Sequence, residues 1–344
     1  MTYDPSQSAK DNGRLFSLTM TDDSRISNAS MGIGLVFPGQ GSQSVGMGRA
    51  LFEANPACRA VYEEAGGILG YDVAALCFDG PPERLNLTEF TQPALLTASI
   101  AALRALEPAG LEPVAVAGHS LGEYSALVAA GGCSFRAAVP LVQKRGRYMA
   151  EAVPSGSGLV AAVLGGTPET VRDACREASS VGVVVPANFN CPGQVVIAGE
   201  KAAVERAIEI LKAKGGSRVM PLPVSVPVHT PLMQVAADRL ARDVEATPGT
   251  GLRVPLINNA EAKPLRSWAE VKTSLIRQLP SSVLWEDSIR KMHELGVRTF
   301  VEVGPGTVLT GLIRRILRDV VTLNVHDTAS LDATMQTLAA KREA

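Results

Sequence analysis

The chain carries almost no excess charge: 33 Lys and Arg against 34 Asp and Glu leave a formal net charge of −1 over 344 residues. That balance argues against a nucleic-acid-binding stripe or a polybasic membrane surface. No run is long and apolar enough to span a bilayer. Cysteine occurs five times, at Cys58, Cys77, Cys133, Cys175 and Cys191, without a C-x-x-C pair. This points away from a disulfide framework and from a zinc site, and fits buried thiols in a reducing cytoplasm. Neither a metal nor an organic cofactor is expected. Histidine is scarce as well, with four copies, so there are few candidates for a general base. Residues 1–30 are rich in Ser, Thr, Asp and Asn and lack an apolar core like that of a signal peptide. They read as a disordered N-terminal extension.

What is present begins with Gly118-His119-Ser120-Leu121-Gly122, a G-x-S-x-G motif. The apolar run Val114–Ala117 leads into it and the helical stretch Glu123–Ala130 leads out. A serine on a sharp strand-to-helix turn presents its hydroxyl at a helix N-terminus, where negative charge is favoured. The flanking glycines are required because side chains there would collide with neighbouring backbone. This is the setting of a nucleophile.

Along the chain, strand and helix signals alternate, which predicts an α/β fold. Strands are expected at 32–37, 254–258 and 299–303. Helices are expected at 48–69, 92–106, 134–152, 268–279 and 285–295. Ser134 is a good N-cap, and Pro140 predicts a kink or an early irregularity in the helix that follows. Between 154 and 222 the order becomes βαββαβ: strand 158–164, helix 168–178, strands 181–189 and 194–199, helix 201–214 and strand 217–222. That is the order of a ferredoxin-like unit.

A nucleophilic serine needs a base. His119 adjoins Ser120 and should point elsewhere, His293 lies in a helix, and His326 is close to the C-terminus. His229 sits in the proline-bracketed loop Pro227–Pro231 and is the best base by elimination. No Asp or Glu stands out as a third member, and a Ser–His dyad oriented by a backbone carbonyl suffices physically. The loop Phe37–Gln43 fails as a phosphate cradle because position 44 is Ser and no Lys follows Gly46. It remains either an ordinary glycine-rich turn or an oxyanion-hole loop in which the Gln40 amide joins that of Leu121. Arg145 and Arg147 are both candidates for binding a carboxylate, and both fit a solvated helix face. Their spacing does not choose between them.

Eight blocks carry a resemblance to the malonyl-CoA:acyl carrier protein transacylases, from about residue 34 to about 335. They are FPGQGSQ (37–43), TQPALLTAS (91–99), GHSLGEYSAL (118–127), KRGRYMAEAVP (144–154), NFNCPGQVVIAG (188–199), LPVSVPVH (222–229), RQL (277–279) and EVGPGTVLTGL (302–312). The resemblance implies an α/β fold in which a hydrolase-like parallel-sheet domain, 31–153 and 223–335, carries an inserted ferredoxin-like subdomain, 154–222. It implies Ser120 as nucleophile, His229 as base and Gln278 as the residue whose carbonyl orients the imidazole. Gln40 and Leu121 become the oxyanion-hole amides, and Arg145 rather than Arg147 the carboxylate clamp. Asn188 and Asn190 fall near the cleft, and Val228 lines the acyl pocket where the family commonly has Phe or Ser. The proline that the family usually places just before Val283 is moved forward to Pro280, so the loop that presents Gln278 is expected to differ. The implied activity is malonyl transfer from malonyl-CoA to the phosphopantetheine thiol of acyl carrier protein, in fatty acid biosynthesis, by a cytoplasmic monomer with no nucleic-acid or membrane partner. A stand-alone polyketide acyltransferase and an acyl-thioester hydrolase are the alternatives among enzymes. A non-catalytic carrier-docking module is the alternative outside them.

Overall fold

An unbroken apolar strand, Ile33–Phe37 (β1), lies inside a six-stranded sheet because both of its faces are covered. The computed structural model describes residues 32–343 apart from 155, 223 and 225. The extension expected at 1–30 lies outside the described residues. The remaining strands are β2 (Ala115–Gly118), β3 (Gly158–Leu164), β4 (Val184–Cys191), β5 (Gln194–Glu200), β6 (Arg218–Pro221), β7 (Leu256–Ile257), β8 (Pro264–Leu265), β9 (Val283–Leu284), β10 (Thr299–Val303) and β11 (Val321–Val325). The large sheet runs β11-β10-β1-β2-β7-β8, parallel except for the last pair.

Successive side chains of these strands enter two different cores, as the two-residue period of a strand requires. Leu35, Phe37, Val116, Val301 and Val303 face one core, shared with helices Thr88–Leu106, Gly122–Ala129 and Phe135–Glu151. Val36, Ala115, Ala117 and Phe300 face the other, under Trp285–Glu294 and Val308–Ile316. The register pairs Phe37 with Gly118, so the loops after β1 and β2 emerge side by side at the carboxyl end of the sheet. That end is where open α/β sheets bind ligands.

The second sheet runs β6-β3-β5-β4-β9. Its first four strands are antiparallel and adopt the ferredoxin-like order, with helices Pro168–Ala178 and Lys201–Lys214 packed on one face. The fifth, β9, lies about sixty residues after β6 in sequence and pairs parallel to β4.

Two expectations need correction. The single helix expected at 48–69 is two, Arg49–Ala54 and Pro56–Leu69. Pro56 pushes Asn55 out of the helical region to φ −131°, and the Asn55 side chain then caps the second helix by accepting from Ala57 N at 2.9 Å. The helix Phe135–Glu151 continues through Pro140, and Thr88–Leu106 through Pro93. The burial of both helices offsets a proline cost of about 3 kcal/mol. The strand expected at 254–258 shortens to Leu256–Ile257, which releases Asn258 and Asn259 for other contacts.

Candidate active site

Ser120 has φ 51°, a left-handed conformation that a non-glycine residue holds only when its surroundings enforce it. The enforcement is visible. A Cβ on Gly118 would stand 1.9 Å from the Gly122 backbone, and one on Gly122 would stand 2.1 Å from Phe37 O. Asn259 holds the outer side of the turn: its Oδ1 accepts from Ser120 N at 2.6 Å and its Nδ2 donates to Gly118 O at 2.7 Å. Gln278 Nε2 donates to Ser120 O at 3.0 Å.

His229 is also left-handed, with φ 61°, and is 2% exposed. Its Nε2 lies 2.7 Å from Ser120 Oγ. Its Nδ1 lies 3.1 Å from both Gln278 O and Ser281 O. Carbonyls only accept, so Nδ1 carries the proton and Nε2 keeps its lone pair for the serine hydroxyl. Burial, reinforced by the nearby Arg145 charge, pushes the imidazole down to about 3 from its ordinary 6.5. It is therefore neutral at neutral pH. The forward-shifted Pro280 lies in a turn in which Ser281 N donates to Gln278 O at 3.3 Å, and this turn brings the second carbonyl to the ring.

Arg145 is 1% exposed. Its Nη1 donates to Gln92 Oε1 at 2.8 Å, and its Nη2 donates to Gln278 Oε1 at 2.9 Å and to Ser120 Oγ at 3.2 Å. The guanidinium carbon lies 5.4 Å from the centre of the Tyr124 ring. Among the described residues no carboxylate forms an ion pair with it; neutral amides aim it at the serine. Arg147 is exposed and lies against Tyr148. The structure thus separates two arginines that their spacing left equivalent.

Gln40 is half-buried, and its Oε1 accepts from Thr88 Oγ1 at 2.8 Å. Thr88 Oγ1 accepts in turn from Gln92 Nε2 at 3.0 Å, which ties the loop to the arginine. The loop lies against the elbow: a Cβ on Gly39 would come within 2.2 Å of His119 O. Leu121 is the buried N-cap position of the helix that follows Ser120. Asn190 is buried, and its Oδ1 accepts from His119 Nε2 at 2.9 Å. His119 therefore turns away from Ser120, as its place in the motif predicts. Asn188 is buried on β4 in register with Val283, and Val228 is half-buried against the main core. Neither hydrogen-bonds to Ser120, His229 or Arg145 among the described residues.

Four participants escaped the sequence reading of the site: Gln92, Glu123, Asn259 and the carbonyl of Ser281. Glu123 had a signal, being the one charged residue in the buried helix Gly122–Ala129. The side-chain amides had none, because they acquire a role only when distant segments meet.

Residues 35–339 match the family model described as the acyl transferase domain. The malonyl CoA-acyl carrier protein transacylase of Escherichia coli (strain K12) is 47% identical over 302 residues, covering 88% of this chain and 98% of that protein. Its namesake from Bacillus subtilis (strain 168) is 45% identical over 307 residues, covering 89% and 97%. The crystal structure of an acyl carrier protein S-malonyltransferase from Vibrio cholerae superposes with a TM-score of 0.86 at 48% identity, covering 88% of this chain and 99% of that one. A malonyl-transacylase in complex with a type II polyketide synthase acyl-carrier protein gives 0.87 at 46% identity, covering 89% and 99%.

Proposed function

The chain belongs to the acyl transferase domain family, and on that premise we propose that it transfers malonyl from malonyl-CoA to the phosphopantetheine thiol of acyl carrier protein. The observation that carries the reading is one hydroxyl with two partners: Ser120 Oγ lies between the neutral His229 Nε2 and the Arg145 guanidinium.

In the first half-reaction His229 Nε2 takes the proton of Ser120 as Oγ bonds to the thioester carbon. Negative charge develops on the thioester oxygen, which faces the amides of Gln40 and Leu121. A donor of this kind is worth about 3–4 kcal/mol in the transition state. The C–S bond then breaks, the imidazolium returns its proton to the departing coenzyme A thiolate, and malonyl-Ser120 remains. In the second half-reaction His229 takes the proton of the phosphopantetheine thiol as its sulfur attacks the ester. That proton passes to Ser120 Oγ as the ester opens. Throughout, Nδ1–H stays on the Gln278 and Ser281 carbonyls, so no acid is needed as a third member.

Arg145 supplies selectivity by pairing its fork with the free malonyl carboxylate, a charge-assisted contact that a neutral acyl group cannot make. Asn188, Asn190 and Val228 border the acyl and pantetheine path. This reading assigns the chemistry to 31–153 and 223–335 and the cover of the cleft to 154–222. It places a monomer in the cytoplasm, serving fatty acid biosynthesis. The five buried, unpaired thiols are consistent with a reducing compartment.

The test is intact mass. Malonyl-CoA should add one malonyl group to the protein, Ser120→Ala should take up none, and a phosphopantetheinylated carrier protein should remove it. An adduct that only water removes would make the protein a hydrolase.

A further inference from the structure

We propose that Glu123 is a positioning residue of this acyl transfer, one of its carboxyl oxygens fixing the poses of Gln278 and Asn259 and, through them, the base, the clamp and the serine. The inference rests on the acyl-transfer reading above. Glu123 is the second residue of the helix that leaves the elbow, and it is 0% exposed. Its Oε2 accepts from Gln278 Nε2 at 2.8 Å and from Asn259 N at 3.0 Å. Gln278 presents its backbone carbonyl to His229 Nδ1, its Oε1 to Arg145 and its Nε2 to Ser120 O. Asn259 holds Ser120 N and Gly118 O. One oxygen thus bonds the Gln278 side chain and the Asn259 main chain, and these two residues in turn hold Ser120 O and Ser120 N.

A group filling space alone would not be a carboxyl here. Burying its charge is costly, and an apolar side chain of similar volume would cost less. Arg145, Tyr124, Gln278, Asn259 and Ser274 are the charged and polar groups that face it. Their help is incomplete, and burial lifts its titration to about 7 from 4.5. Oε1 has no hydrogen-bond partner and can hold a proton, whereas Oε2 accepts in either state. The need is therefore for an acceptor rather than for a charge.

Two variants of the full chain distinguish the readings, each checked for a native melting transition. Acylation by malonyl-CoA and by acetyl-CoA is followed by intact mass in single turnovers. Glu123→Met removes the acceptor at similar volume. It should slow malonyl acylation and lower the malonyl-over-acetyl ratio, each by roughly tenfold or more, as expected for groups in one hydrogen-bonded network. Glu123→Gln keeps an acceptor oxygen and should stay within about threefold of the wild type in both. A folded Glu123→Met with wild-type rate and ratio would overturn the proposal, and so would Glu123→Gln as impaired as Met. Should Met not fold, Glu123→Asp keeps the carboxyl but withdraws its oxygens; a lowered ratio is then expected, and an unchanged one would overturn the proposal. A wild-type protein that takes up no malonyl would refute the acyl-transfer reading itself, an outcome separate from any result at Glu123.

Discussion

The two sheets hold the site by different means. The six-stranded sheet is buried on both faces, and the loops and helices around its carboxyl end supply Gln40, Ser120, Arg145, His229 and Gln278. Two of those residues are held left-handed, which only a heavily packed frame can maintain. The five-stranded sheet supplies supporting contacts, a buried side-chain amide among them. Asn190 reaches His119, and the carbonyl of Pro186 accepts from Ser282 Oγ at 2.6 Å, next to the turn that orients His229. The loops and helices around the parallel sheet therefore hold Ser120, His229 and Arg145 together, and the five-stranded sheet braces their neighbours His119 and Ser282. The two left-handed residues and the arginine lie with the first sheet, and supporting contacts come from the second.

The sharpest way to break that contrast is to remove the chemistry from the large sheet. Ser120→Ala should abolish the malonyl adduct. His229→Ala should slow acylation by roughly 10²–10⁴-fold, the usual worth of a general base, while the protein still melts cooperatively. Single replacements of Asp or Glu should not match it. An acid other than Glu123 as essential as His229 would mean that carbonyls do not orient the ring.

A second prediction concerns pH. An ordinary imidazole loses its base form as pH falls through 6.5, whereas His229, held down to about 3, keeps it. Single-turnover acylation should therefore stay level from pH 8 to below pH 6. Arg145→Gln removes a charge that depresses the imidazole, so the acid limb of its residual activity should move up. An acid limb centred near 6.5 in the wild type would contradict the buried neutral base. Stability follows the same pKa shifts with opposite signs. Below 6.5 the unfolded chain protonates His229 before the folded one does, so stability is lost as pH falls from 6.5 towards 3. Glu123 keeps its proton longer when folded, so stability is lost as pH rises from 4.5 towards 7. Glu123→Gln, neutral at every pH, should melt above the wild type at pH 8 and level with it at pH 4. Equal melting at both would show that the buried carboxyl is not strained.

The smallest effect belongs to the small sheet. Asn190→Ala removes one hydrogen bond, worth about 0.5–1.5 kcal/mol. It should raise KM for malonyl-CoA by less than about tenfold and leave the single-turnover rate near wild type. A collapse of that rate would erase the division between the sheets.

The elbow was legible because G-x-S-x-G demands one geometry, a strand, a left-handed residue and a helix, and the flanking residues supply it. The βαββαβ order was legible because helical and strand periods alternate cleanly from 158 to 221. Sheet order was not, since hydrophobic period records which face is buried and not which strand lies beside it. Gln278 acts partly through its backbone carbonyl, which no side chain announces, so only the family resemblance marked it. Gln92 and Asn259 gain meaning only where residues distant in sequence meet around Arg145 and Ser120. The break at Asn55 is different: the proline after it states the rule outright.

The central claim is that a buried arginine beside the acylated serine reads a carboxylate. Its most direct measurement is the rate of Ser120 acylation by malonyl-CoA and by acetyl-CoA in wild type, Arg145→Ala and Arg147→Ala. Removing one partner of a buried charge pair costs roughly 2–5 kcal/mol. Arg145→Ala should lose malonyl acylation by the equivalent factor and lose its preference over acetyl, while Arg147→Ala keeps both. An unchanged malonyl-to-acetyl ratio in Arg145→Ala, or a collapsed one in Arg147→Ala, would contradict the account.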